Sequence, residues 1–348
     1  MEKGHRVTVV VPAPHHMSGK VSDFGRIALR RKYSVDGVQV IKTYAYPNFR
    51  AGYFRRVLYY LSTPLFVLLA CVRQKPDVIL GSSPPFFLAP GAFLLSKIRR
   101  VPFVLEVRDA WLEFAFAKGL VPKFLVKALR FQQEMNGYEE DVFAQADPSK
   151  IREIRQAWGL EGKLVAIYAG TLGLARDCLV FVRAAARLQS HPDILFAFVG
   201  EGERKDEMLQ FVRDRQLKNC QFVPMQPRRD MPAWFAACSV GLNSIRAGEA
   251  LESSLSNKIF DYLGSGLPVV FAGNGDTKHF LEQSGGGIVV PAEDDGAMAE
   301  AILRLYRHPD LRHEMGGREY VLSQYSRRKL REPLGEMLDH LPSLRSRG

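Results

Sequence analysis

"SNKIFDYLGSGLPVV", Ser256–Val270, reads as a helix, a stop and a strand in immediate succession. Ser256 and Asn257 are residue types that cap helix N-termini, and Ile259, Phe260 and Leu263 follow at helical spacing. Gly264 and Gly266 end the helix, and Leu267-Pro268-Val269-Val270 opens a buried strand. A short helix feeding straight into an apolar strand is one unit of an alternating α/β chain. Lys258 and Asp261, three residues apart, share one face of that helix. On residue type alone Asp261 reads as a solvated helix carboxylate.

The same alternation extends in both directions. Strands are predicted near Val7–Val11, Val38–Thr43, Asp77–Gly81 and Phe103–Val107, with helices near Arg55–Val72, Phe87–Ile98 and Pro122–Gln133. Further strands are predicted near Leu164–Tyr168, Ile194–Val199, Cys220–Val223, Val240–Asn243, Pro268–Phe271 and Gly287–Val290. Helices lie between them, and two more follow near Met298–Arg307 and Pro309–Tyr325. Apolar strands alternating with helices predict parallel sheets covered on both faces. A changeover near residues 135–150 divides the chain into two doubly wound domains, 1–134 and 135–348, facing a cleft, with ligands at the carboxyl ends of the strands.

Two places read as incomplete. Glu2-Lys3-Gly4-His5 has the composition of a helix end with no helix before it. At Gln132–Gly137 a helix is predicted to run into a turn with no strand between. Both are read as missing segments, so the first domain is expected to be truncated.

Composition narrows the function. The 348 residues are 47% hydrophobic and 24% charged, ordinary for a globular protein. Cys71, Cys178, Cys220 and Cys238 stand far apart, without metal-ligand or disulfide-framework spacing, and His15-His16 is a loop pair. No metal site is predicted. The net charge of +11 is unevenly spread: residues 1–134 carry 21 Lys+Arg against 8 Asp+Glu, and the remainder 27 against 29. An acidic partner is therefore expected for the first half only. No nucleic-acid-binding motif accompanies the charge. The run "VLYYLSTPLFVLLACV", Val57–Val72, lies between Arg55-Arg56 and Arg73 and contains Pro64. At 16 residues it falls short of the roughly 20 that span a bilayer. A buried helix and a helix lying in an anionic membrane interface both stand open. Pro84–Leu95, followed by Lys97, Arg99 and Arg100, repeats the pattern.

Two turns have the make-up of anion sites. The strand in "LVAIYAGTLGLARD", Leu164–Asp177, opens into Gly170-Thr171-Leu172-Gly173, where small residues let backbone N–H groups approach a ligand. Arg176 follows in the same turn. Gly200-Glu201-Gly202-Glu203 closes the next strand and opens a helix over Arg204–Gln216. Either turn also fits a plain strand-to-helix connection.

In order, "YAGTLG", "FVGEGERKDEMLQF", "CQFVPMQPRRDMPAWFAACSVGL", "SNKIFDYLGSGLPVV" and "GGGIVVPAEDDGAMAEAI" resemble family 4 retaining glycosyltransferases of the GT-B fold. "GHRVTVVV" and "PDVILGSSPPFFLAPGAFLLSKIRRVPFVLEVRDAW" agree, and the chain is most similar to the WbuB-like branch. The resemblance implies two Rossmann-like domains: an acceptor-binding one over 1–134 and a nucleotide-sugar-binding one over 135–348. It implies transfer of a sugar, of N-acetylated hexosamine type, from a UDP-sugar to a lipid-linked glycan acceptor in cell-surface polysaccharide synthesis. It also implies work in the cytoplasm, peripherally on the inner face of the membrane, without cofactor, metal or nucleic acid. The nucleotide site would comprise Gly170, Thr171, Gly173, Arg176, Gly200, Gly202, Ser254, Leu255, Ser256, Lys258 and Asp261. In it Asp261, usually glutamate in the family, holds the ribose hydroxyls, while Lys258 and Arg176 face the diphosphate. The first glutamate of the family's paired pattern falls at Ser253, leaving Glu249 or Glu252 for the donor sugar. Glu106, Arg108 and Asp109, with Trp111 beside them, are the catalytic candidates of the acceptor side. A nucleotide-sugar epimerase of the same fold, an inactive truncated relative that only binds a partner and, supported by charge alone, a nucleic-acid-binding module are the competing readings.

Overall fold

A computed structural model describes residues 4–13, 30–35, 37–47, 52–83, 88–107, 132–133, 137–143, 146–173, 176–247 and 255–341. The chain divides into two compact units, 1–135 together with 331–348, and 136–330. Residues 331–348 thus group with the first unit, whereas the sequence placed them with the second.

The first unit holds two three-stranded sheets. In one, β1 (Thr8–Pro12) runs parallel to β3 (Val38–Thr43), and β2 (Arg30–Val35) pairs with β3 antiparallel. The sequence reading omitted β2, because "RRKYSV" is exposed at every position and carries no core-facing alternation. The Asp36-Gly37 dipeptide before β3, a hairpin signal with Gly37 at φ 80°, was the available clue. In the other sheet β4 (Ile79–Ser83), β5 (Phe103–Val107) and β6 (Gln132–Gln133) are parallel. Gln132 and Gln133 are therefore a short strand against Glu106 and Val107, not the end of a helix. The absence of a strand at this point, the ground for inferring a missing segment, falls with that correction. Of the other gap, Glu2 and Lys3 lie outside the described residues.

Helix α1 (Tyr53–Cys71) packs against α2 (Leu88–Arg99). Pro64 sits inside α1, where it removes an N–H from the helix ladder. The Thr63 hydroxyl donates to the Tyr59 carbonyl at 2.7 Å, occupying an acceptor in the disturbed turn. α1 is not the buried helix of the simpler reading: Leu61, Leu65 and Leu69, one helical turn apart, are 64%, 53% and 56% exposed. Leu94 and Ile98 form a matching exposed pair on α2. No helix among the described residues is long and apolar enough to cross a membrane.

The second unit has one six-stranded parallel sheet: β7 (Leu164–Ala169), β8 (Ile194–Val199), β9 (Cys220–Val223), β10 (Val240–Ser244), β11 (Val269–Ala272) and β12 (Gly287–Val290). The spatial order is β12-β11-β10-β7-β8-β9. The chain steps outward from β7 to β9, returns to the other side of β7, and steps outward again. That reversal puts a crevice between the carboxyl ends of β7 and β10. The strands are apolar because both faces are covered. Val165, Ile167, Leu195 and Phe271 face Trp234, Phe235 and Tyr262, while Ala166, Tyr168, Phe196 and Val270 face Phe181, Met208 and Ile302. The predicted helix over Pro309–Tyr325 is two, Pro309–Glu314 and Arg318–Tyr325, divided at Gly316-Gly317.

Candidate functional site

β7 ends in the turn Gly170–Gly173 at the crevice where the strand order reverses. Gly170 has φ 138°, and a Cβ there would lie 2.7 Å from Lys258 Nζ. The missing side chain lets the lysine lie against the turn's backbone. Lys258 belongs to the helix Asn257–Gly264, here α3, which packs on β10. Its ammonium donates to Tyr168 Oη at 3.3 Å and stands 4.7 Å from that ring's centroid. The Tyr168 hydroxyl in turn donates to the Thr171 carbonyl at 2.8 Å. Burial is the main force on Lys258, with the neighbouring Arg176 second, and together they bring its pKa down to about 8. Arg176 Nη1 reaches the Ser244 carbonyl at 3.3 Å, bridging from the turn after β7 to the end of β10. Neither cation forms a salt bridge among the described residues. Two cations that raise each other's electrostatic cost, at the carboxyl ends of two parallel strands, are suited to a multiply charged anion.

The start of α3 adds to this. Ser256 occupies the N-cap position with extended backbone, as expected, but its hydroxyl makes no capping hydrogen bond. The first-turn N–H groups therefore have no side-chain acceptor from the cap, and the positive end of the helix lies in the same region as Lys258. Leu255 precedes it, partly buried. Ser254, with Glu249, Glu252 and Ser253, lies outside the described residues.

Asp261 differs most from expectation. It is not a solvated carboxylate: its side chain is 7% exposed. Nor do its oxygens meet Lys258. Arg228 Nη1 donates to Oδ2 at 2.7 Å and Nη2 to Oδ1 at 2.9 Å, a two-point ion pair. Burial raises the Asp261 pKa, and Arg228, then Lys258, oppose that rise. Arg228 also donates from Nε to Glu139 Oε2 at 3.0 Å and lies 5.0 Å from the Phe143 ring centroid. Glu139 is held from the other side by Arg327. Sequence reasoning missed Arg228 and Glu139 altogether. "RRD", Arg228–Asp230, looks like any charged turn, and its partner Asp261 lies 33 residues on.

Gly200 and Gly202 have a packing task of their own. A Cβ on Gly200, at φ 147°, would stand 2.1 Å from the Gly170 carbonyl oxygen, and one on Gly202 would stand 2.2 Å from that of Leu172. The two turns are laced backbone to backbone, with Leu172 N donating to Glu201 O and Arg204 N to Leu172 O, both at 2.9 Å. These glycines permit turn-on-turn packing, which in turn fixes Gly170 and Thr171. Gly200→Ala is expected to cost about 1–3 kcal/mol of stability, since a strained φ and a backbone clash coincide. Thermal and denaturant unfolding would measure it. An equally stable variant with weakened ligand binding would return Gly200 to the ligand.

Of the acceptor-side candidates, Glu106 lies on β5 opposite Gln132. Arg108, Asp109 and Trp111 are outside the described residues.

Residues 163–308 match the family model of glycosyl transferases group 1. Over 363 residues the chain is 25% identical to the "Putative colanic acid biosynthesis glycosyl transferase WcaI" of Escherichia coli (strain K12), covering 92% of this chain and 88% of that protein. Among solved structures it is similar to Anabaena Alr3699/HepE, crystallised with UDP and glucose, with a TM-score of 0.68 at 17% identity over 88% of this chain and 87% of that one. It also resembles the sucrose-phosphate synthase of Thermosynechococcus elongatus, with a TM-score of 0.70 at 13% identity over 99% and 90%. The chain is a glycosyltransferase with the GT-B architecture.

Proposed function

We propose that the protein transfers a sugar, of N-acetylated hexosamine type, from a UDP-sugar to a lipid-linked glycan acceptor, with retention, in the synthesis of a cell-surface polysaccharide. One observation carries this reading: Lys258 and Arg176, without salt bridges among the described residues, flank the crevice between β7 and β10 beside the start of α3. A diphosphate is the anion whose size and charge suit two cations and a helix N-terminus. The name of the Escherichia coli relative and the UDP held by the Anabaena protein point the same way.

In this reading the departing UDP gains negative charge as the glycosidic bond to the donor breaks. Fixed cations and backbone N–H groups stabilise that charge more in the transition state than in the ground state. Lys258 and Arg176 supply the cations, Asn257 and Lys258 the N–H groups, and Gly170 and Thr171 the backbone wall. Asp261 receives the ribose hydroxyls. The chemistry asks for no cofactor, because the leaving-group charge is met by side chains. The acceptor would be bound by the first unit, with Glu106 on β5 and, from the sequence resemblance, Arg108 and Asp109 as its candidate residues.

A lipid-linked acceptor requires access to a membrane, and the first unit suits that need. Leu61, Leu65, Leu69, Leu94 and Ile98 are exposed on two packed helices, and Arg55, Arg73, Lys97 and Arg100 lie at their ends. Leucines entering the interface with arginines on lipid phosphates is the pattern of a peripheral helix pair on an anionic leaflet. The protein is expected to sediment with vesicles containing anionic lipid and to be released by salt, since charge attraction decays over about 8 Å at physiological ionic strength. Leu65→Glu should reduce binding at every salt concentration. Equal binding to neutral vesicles would refute the electrostatic part.

The reaction is tested by incubating the purified protein with UDP-N-acetylhexosamines and a polyprenyl diphosphate-linked glycan acceptor. UDP release that depends on acceptor, with the anomeric configuration retained in the product, supports transfer. An epimerised nucleotide sugar formed without acceptor would support the epimerase instead.

A further inference from the structure

The carboxylate assigned to the ribose is already covered. Arg228 takes both oxygens of Asp261, at 2.7 and 2.9 Å. Asp261 is 7% exposed, whereas the Arg228 side chain that covers it is 48% exposed. The guanidinium thus lies on the solvent side of a buried acid. A ribose diol needs the same two oxygens as acceptors, and the burial of Asp261 leaves its remaining lone pairs little access to a ligand.

Arg228 also has a second place to go. Glu139 Oε2 lies 2.9 Å from Nη2 and 3.0 Å from Nε, so the guanidinium already spans two carboxylates. Glu139 is itself anchored, by Arg327 on its other oxygen, and Tyr138 beside it is tied to Tyr325 and Arg327 by backbone hydrogen bonds of 2.8 and 3.0 Å. The Phe143 ring supports the guanidinium near its present position. Glu139 thus has two arginine partners, Arg228 and Arg327, where Asp261 has Arg228.

We infer that Arg228 is a gating residue of the nucleotide site: it plugs the ribose-binding carboxylate and is displaced onto Glu139 when a nucleoside enters. This inference rests on the nucleotide reading of Asp261 given above. It makes Glu139, which touches no nucleotide, a determinant of nucleotide affinity. Without Glu139 the guanidinium would have Asp261 as its single carboxylate partner here, and the plug would hold more tightly. Without Arg228 the diol would meet an open carboxylate.

The test is calorimetric titration of uridine and UDP into the full chain and into Glu139→Gln, Arg228→Gln and the double variant, with unfolding curves on each. Glu139→Gln is expected to weaken uridine and UDP alike, by about 5–20-fold. Arg228→Gln is expected to tighten both several-fold. In the Arg228→Gln background the Glu139 substitution should have less than a twofold effect, because there is no guanidinium left to receive. Arg228→Lys, which keeps the charge but cannot bind two oxygens at once, should fall between parent and Arg228→Gln. If Arg228→Gln and Arg228→Lys, both folded, bind more weakly than the parent, Arg228 positions Asp261 and the plug is refuted, while the nucleotide reading stands. If the parent binds neither uridine nor UDP, the nucleotide reading itself is refuted and the plug with it.

Discussion

Arg176→Ala should lower affinity for UDP by roughly 10–100-fold and leave uridine within about twofold. Hydrogen bonds to charged groups contribute about 1.5–3 kcal/mol each, and uridine carries no phosphate to receive one. Arg176 suits this role because its hydrogen bond among the described residues is to the Ser244 carbonyl at 3.3 Å, a weak neutral acceptor that a phosphate oxygen would replace. The loss should not come from unfolding. Arg176 is only partly buried, and its removal relieves the repulsion it exerts on Lys258. Calorimetric titration of uridine, UDP and a UDP-sugar into the variant checks the expectation, with circular dichroism confirming the fold. Parent-like UDP affinity would remove Arg176 from the phosphate site. An equal loss for uridine and UDP would move it to the nucleoside.

The second unit was legible in the sequence because burial on both faces leaves an unmistakable trace. "ILFAFV" is a strand at the residues predicted and is buried at all six positions, since every position must be apolar where helices cover both sides. The first unit was less legible for the opposite reason. β2 is exposed along its whole length, so nothing selects alternation, and a two-residue strand such as Gln132–Gln133 is fixed by its neighbour rather than by its own residues. At the site, Lys258, Arg176 and the glycine turn were visible as residue types in a strand–turn–helix context. Their partners were not. That Asp261 meets Arg228 depends on how the turn after β9 comes back over α3, which no spacing in the sequence encodes. Gly200 and Gly202 show a further limit. A glycine that admits a ligand and one that admits a neighbouring carbonyl are the same letter, and the 2.1 Å that would separate a Gly200 Cβ from the Gly170 oxygen is visible in the structure alone.

Lys258 should make UDP binding take up a proton near pH 8. In the free protein burial, and then Arg176, hold its pKa at about 8, well below the ordinary 10.5. A diphosphate beside the ammonium favours the charged form and moves the pKa back up. At pH 7 the lysine is already about 90% protonated and little uptake occurs. At pH 8.5 about a quarter is protonated when free and nearly all when bound at an ordinary pKa, so uptake approaches three-quarters of a proton. UDP affinity should correspondingly fall about tenfold between pH 7 and pH 9, a range in which the phosphate, with its last pKa near 6, does not titrate. Nearby groups do not confuse the window: burial raises the Cys178 thiol to about 11 and puts the Tyr168 hydroxyl well above its usual range. Asp261, although raised by burial, is opposed by Arg228 and Lys258. The sign for the free protein is the reverse. The unfolded chain binds more protons than the folded one between about pH 8 and 10.5, so this lysine adds stability as pH rises through that interval and loses it as pH falls through 8. Titrations at pH 8.5 in buffers of different ionisation enthalpy would count the protons directly. Lys258→Arg should retain binding with no uptake and a flat pH profile, and Lys258→Met should bind weakly with neither. A buffer-independent enthalpy in the parent would mean that Lys258 keeps one protonation state throughout, and that the diphosphate lies elsewhere.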